Sequence, residues 1–132
     1  MYVRYVTDLR DRRTRLQVGI IRSVGTLEDW ILPEDVEQLE TLFAWFKKWL
    51  RVPSRFARST RRNAQKKAIC WFKDSSFRCI TKAKEIVAIL EKNGIPTMTL
   101  VTRRPGYIVY EDYHQIAAIP FRDTFLSERM ND

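Results

Sequence analysis

KAICWFKDSSFRCITKAKEIVAILEKNGIPTMTLVT, residues 67–102, decides how this chain folds. Its first eight residues, 67–74, hold an apolar and aromatic core suited to a strand. Asp74, Ser75 and Ser76 follow, each able to cap a helix start. From Phe77 to Lys92 the apolar residues Ile80, Ala83, Ile86 or Val87, and Leu90 recur at helical spacing. Asn93-Gly94 supplies a helix exit, because glycine tolerates the left-handed conformation there. Residues 95–102 then read as a second strand. Strand, helix and strand in this length predict a βαβ unit with a right-handed crossover.

Working outward, YVRYVTDL (2–9) and RLQVGIIRSV (15–24) read as an antiparallel hairpin around the charged tip RDRRTR. Leu16, Val18 and Ile20 share one face of the second strand, while Ile21 breaks strict alternation and Gly19 weakens the strand or marks a bulge. A helix is expected from Pro33 to Leu50. Pro33 suits a first turn, Glu34, Asp35 and Glu37 lie at its positive end, and Lys47 and Lys48 at its negative end. Val36, Leu39, Phe43, Phe46 and Leu50 form its main apolar stripe. Leu42, Trp45 and Trp49 form a second, which is either covered by further structure or an interface.

RRPGYIVYEDYHQIAAIP (103–120) reads as a hairpin opened by Pro105-Gly106, with EDYH at its tip. A two-residue Asp112-Tyr113 turn pairs Glu111 with His114 and Tyr110 with Gln115. Asp-Tyr is not a favoured two-residue turn, so a four-residue loop from Glu111 to His114 is the alternative. The expected fold class is α/β: a single mixed sheet in the order β-β-α-β-α-β-β, with one βαβ unit and a C-terminal hairpin. Residues 1–132 form one domain, with a basic loop at 51–66 and a short appendage at 124–132.

The chain has 132 residues, 45% of them hydrophobic and 12% aromatic, which excludes a disordered chain. No run approaches the length of a bilayer span. The N-terminus lacks a secretory leader's apolar core, and two cysteines suit a reducing compartment, so a cytoplasmic location is expected. Four scattered glycines form no phosphate-binding loop. One histidine with Cys70 and Cys79 makes a poor zinc set, and both cysteines read as small buried hydrophobes. No metal or other cofactor is expected.

The charge is the main functional signal. Lys and Arg total 24 against 16 Asp and Glu, a net charge of +8. Residues 51–67 carry seven basic and no acidic side chains. Arg51, Arg55, Arg58, Arg61, Arg62, Lys66 and Lys67 would hold phosphates there, with Phe56 available to stack on a base. Arg12 and Arg13 would extend the same field. The leading expectation is a non-enzymatic accessory or regulatory protein that binds nucleic acid. A second is a protein-interaction module, a homodimer or an inhibitor, using Trp45 and Trp49. A third is a small metal-dependent nuclease, which needs Asp8, Asp11, Glu111, Asp112 and His114 to converge.

Overall fold

A computed structural model describes residues 1–12, 14–50 and 68–121. The expected basic loop, Arg13 and the C-terminal appendage lie outside these described residues. The strands are β1 (Tyr2–Arg10), β2 (Gln17–Gly19), β3 (Ile69–Lys73), β4 (Thr97–Thr102), β5 (Tyr107–Glu111) and β6 (Gln115–Ile119). The helices are α1 (Ile20–Leu27), α2 (Pro33–Trp49) and α3 (Phe77–Lys92), with a 3-10 turn at Glu28–Trp30. The α/β class with a single sheet stands.

The sheet is built around β1. Tyr2–Thr7 pair along one edge with Thr102–Thr97 of β4. The other edge has two partners: β3 meets Tyr2 and Val3, and β2 meets Val6 and Arg10. β3 continues to β6, and β6 to β5. Every pairing among the described residues is antiparallel. The βαβ unit of 67–102 is therefore split. β3 and β4 run parallel to each other, but β1 lies between them.

Alternation along β1 feeds two cores. Val3 and Tyr5 face the helices and pack with Leu39, Phe46, Ile86 and Leu90. Val6 faces the other way, with Trp71, Leu100, Ile116 and Ala118. A strand buried on both faces must be apolar at consecutive positions, and Tyr5, Val6 and Thr7 are all buried.

One expected strand is corrected. Residues 15–24 do not continue as β; the strand stops at Gly19, and Ile20–Leu27 is helix. The apolar positions Ile20, Val24 and Leu27 have helical spacing, and Ile20 and Val24 are buried in the helix-side core. Ile21, which broke the strand alternation, lies on the exposed side of that helix. Ser23 is fully buried on the same helix, and its hydroxyl meets the Thr7 hydroxyl of β1 at 2.7 Å.

α2 starts with Pro33 in its first turn, where a missing amide hydrogen costs nothing. Its Asp35 carboxylate accepts from Lys92 Nζ at 3.0 Å and from Asn93 Nδ2 at 2.9 Å. Asn93 Oδ1 in turn accepts from the Leu32 amide at 3.0 Å. The start of α2 is thus tied to the end of α3, and the two helices lie antiparallel. The Asn93 and Lys92 hydrogen bonds hold the Asp35 carboxyl below its ordinary pKa, against a smaller effect of burial. Gly94, with φ +77°, takes the left-handed exit expected of it.

Gln17 is 1% exposed, and its amide nitrogen and oxygen find no partner among the described residues. A buried unpaired amide costs stability. The variant Gln17→Met keeps the volume and removes both polar atoms, so it should raise unfolding free energy by about 1 kcal/mol. Urea unfolding of both proteins measures this, and a less stable variant would mean that the amide is paired.

Candidate nucleic-acid interface

The EDYH tip is organised by Asp112. Its Oδ1 accepts from the His114 amide at 2.8 Å and the Gln115 amide at 3.0 Å. Its Oδ2 accepts from the Tyr110 hydroxyl at 2.7 Å and Gln115 Nε2 at 3.2 Å. One aspartate therefore closes the turn by its side chain, as aspartates in turns commonly do. The register follows from it. Glu111 pairs with Ile116 and Tyr110 with Ala117, with a one-residue bulge between Ile108 and Tyr110. The expected pairing of Glu111 with His114 is corrected by that longer turn.

Glu111 and His114 of the tip also have partners. Glu111 meets Lys73 of β3 at 2.7 Å. His114 Nδ1 lies 2.8 Å from the Ser76 hydroxyl, the residue before α3. Ser76 consequently makes no side-chain cap to its own helix, which corrects the expected capping role. A serine hydrogen-bonded to a histidine resembles a nucleophile with its base. Here the Ser76 residue is only 3% exposed, and the bond fastens the hairpin to α3. Ser76 also hydrogen-bonds the Cys79 thiol; that bond opposes the stronger effect of burial, which pushes the Cys79 pKa up.

The carboxylates needed by a nuclease do not gather. His114 and Glu111 sit beside Lys73, which pairs with Tyr2 at the start of β1. Asp8 and Asp11 lie at the far end of that strand, ~20 Å along it at the usual rise per residue. Asp11 accepts from the Thr14 amide at 3.0 Å and pairs with Arg22 at 2.9 Å. Among the described residues no group of three His, Cys, Asp or Glu side chains could hold a metal.

Of the basic candidates, Arg51, Arg55, Arg58, Arg61, Arg62, Lys66, Lys67 and Arg13, together with Phe56, fall outside the described residues. Arg12 is exposed in the β1–β2 loop. The tryptophan candidates are well defined. Trp45 is half-buried and Trp49 is 53% exposed, four residues apart on α2, with ring centroids 6.5 Å apart. Trp45 also packs edge-on against Phe46 at 5.1 Å, which anchors the pair to the core.

Beside them lies a residue that the sequence did not mark as functional. Phe77, the first residue of α3, is 78% exposed. With Trp45, Trp49, Arg78, Thr81 and Lys82 it lines a shallow hollow of ≈ 370 Å³ where α2 ends and α3 begins. Lys82 Nζ stands 5.7 Å from the Trp45 ring centre, and Lys48 Nζ the same distance from Trp49. The first turn of α3 has no acidic residue, although helix starts favour one. The available signal was FRC directly after the DSS turn: an aromatic and a cation at a place where carboxylates are usual.

Among the described residues no helix is long and apolar enough to cross a membrane. Compared with known proteins, the chain matches no family model, no curated protein and no solved structure.

Asp112 gives the site a pH signature. Burial acts to raise its pKa, but the hydrogen bonds from Tyr110, His114 and Gln115 outweigh it and the net shift is downward. A lowered folded-state pKa contributes stability above the unfolded carboxyl value near ~4, and that contribution is lost as pH falls through the lower folded value. Asp112→Ala should therefore lose about 1–3 kcal/mol at neutral pH. The deficit should shrink on acidification below about pH 4, a trend that chemical unfolding across that range measures.

Proposed function

We propose that the chain is a non-enzymatic nucleic-acid-binding protein whose contact surface is the aromatic shelf of Trp45, Trp49 and Phe77 with its rim of Lys48, Arg78 and Lys82. One observation carries this reading. Two exposed aromatic rings from separate helices meet in a hollow whose described charged lining residues, Arg78 and Lys82, are both cationic. Flat rings in a basic surround suit unpaired bases and their phosphates, since stacking is tolerant of sequence and the cations follow the backbone. The segment 51–67, with its seven positive charges, leaves the helix two residues after Trp49. The overall charge of +8 adds long-range attraction.

The same exposed aromatics favour a second reading, as anchors for a protein partner or a second copy of this chain. Trp, Phe and Arg in one patch make an energetic centre when a partner excludes water from it. The two readings differ in their response to salt. Phosphate contacts release counterions and weaken steeply as salt rises, whereas an aromatic protein interface does not.

Titration of the protein with a fluorescent single-stranded oligonucleotide tests the proposal. Trp49→Ala with Phe77→Ala should weaken binding by about 1–3 kcal/mol for each base whose stacking is lost. Arg58→Ala with Arg61→Ala and Arg62→Ala should leave stacking in place and flatten the salt dependence. Wild-type protein that fails to bind at low salt, or a shelf variant that binds as tightly as wild type, defeats it. Self-association that survives high salt and depends on Trp49 supports the second reading instead.

A further inference from the structure

We infer that the chain also carries a site for a small anionic amphiphile, in a cavity separate from the aromatic shelf. The cavity is ≈ 620 Å³ and lies between the sheet and the C-terminal half of α2. That volume falls within the range of small-molecule sites, about 300–1,000 Å³. It adjoins the point where the sheet divides. β2 and β3 share one edge of β1 but meet it at different residues, Val6 and Arg10 against Tyr2 and Val3. Arg4 and Tyr5, between those points, line the opening.

The walls come from β1, β2, β3, β6, α1 and α2. Val3, Val18, Phe43, Phe46, Leu50 and Phe72 are among the lining residues, so the interior is chiefly apolar and partly aromatic. The charged lining residues are Arg4, Arg22, Lys47 and a single carboxylate, Asp11, among those described. Asp11 is held by Arg22 at 2.9 Å. The rim is therefore cationic on balance, and Lys47 lies at the last turn of α2. An apolar body with one negative end group fits both features. A medium-chain carboxylate is the simplest such molecule: its chain would replace water against Phe46 and Phe72, and its carboxylate would reach Lys47. A helix flank is set by 3.6 residues per turn, which puts Phe43, Phe46, Lys47 and Leu50 on a different flank of α2 from Trp45 and Trp49. The two sites can thus be tested apart.

Cys70 supplies the reporter. Its residue is exposed yet lies in this cavity, which corrects the expectation that both cysteines are buried. Although the residue reaches solvent, desolvation by the protein packed around its thiol is the main cause that pushes the pKa up, with Arg4 opposing it and Asp112 adding a little, so labelling is done at mildly alkaline pH. Cys79, 1% exposed, reacts only when the chain opens and serves as the folding control.

The experiment measures the rate at which a small maleimide modifies Cys70, with dodecanoate or dodecyltrimethylammonium added below their micelle concentrations. Dodecanoate should slow Cys70 modification at least about tenfold without exposing Cys79, and the cation should protect far less. Lys47→Glu should remove the preference for the anion. Calorimetry on the same proteins should give a dodecanoate affinity that falls about tenfold in Lys47→Glu. An unchanged Cys70 rate with dodecanoate, equal protection by the cation, or an affinity indifferent to Lys47→Glu overturns the assignment.

Discussion

A strand has two edges, and β1 has three partners. β4 fills one edge from Tyr2 to Thr7, so β2 and β3 must divide the other. Most of the architecture follows from that division. β3 can reach only the first residues of β1 and is left free to carry the sheet on to β6 and β5. β2 is confined to three residues, and the chain leaves it directly into α1. The two strands part where Arg4 and Tyr5 lie, and both residues line the chiefly apolar cavity against α2.

The second organising contact is between the hairpin and α3. Ser76 stands at a helix start, where its hydroxyl would ordinarily serve the helix's own amides. It meets His114 instead, while Lys73 meets Glu111 and the Lys73 amide donates to the His114 carbonyl at 2.9 Å. The only histidine is therefore a cross-link between the β5–β6 turn and the β3–α3 turn. Gly106 is required at the other end of this hairpin. With φ +130°, it packs so closely on Ile119 and Pro120 that a β-carbon would collide with the Ile119 carbonyl. The apolar alternation of residues 107–119 is thus clamped at both ends by residues chosen for backbone geometry.

Much of this was legible in the sequence, for physical reasons. α3 spans Phe77–Lys92 as its periodicity and the Asn93-Gly94 exit require, because local spacing and a local stop agree. α2 was legible on the same grounds. Residues 15–24 misled because Leu16, Val18 and Ile20 alternate across the point where period two becomes period 3.6. Two apolar residues on either side of Gly19 satisfy both patterns, and only the buried contacts of Ile20 and Val24 decide between them. The split βαβ was not legible. Strand order depends on which distant edge β1 occupies, and no local pattern records that. The candidate site divides similarly. Trp45 and Trp49 were marked by their spacing, but Phe77 joins them only because α2 and α3 run antiparallel. The carboxylates and histidine suggested chemistry, yet turn geometry and ion pairing account for their positions.

The placement of β1 also governs the order of events during synthesis. Its longest pairing is with Thr97–Thr102, some hundred residues later in the chain. Loop closure over such a distance is slow, and long-range pairing of this kind raises contact order. β1 must wait for some ninety further residues before the strand that fills this edge exists. Over that interval the β4-side edge of β1 stays unpaired, a state in which an apolar strand edge is open to wrong pairings. The charged turn after β1, with Arg10, Arg12 and Arg15, stands beside that waiting edge, where like-charged copies repel one another.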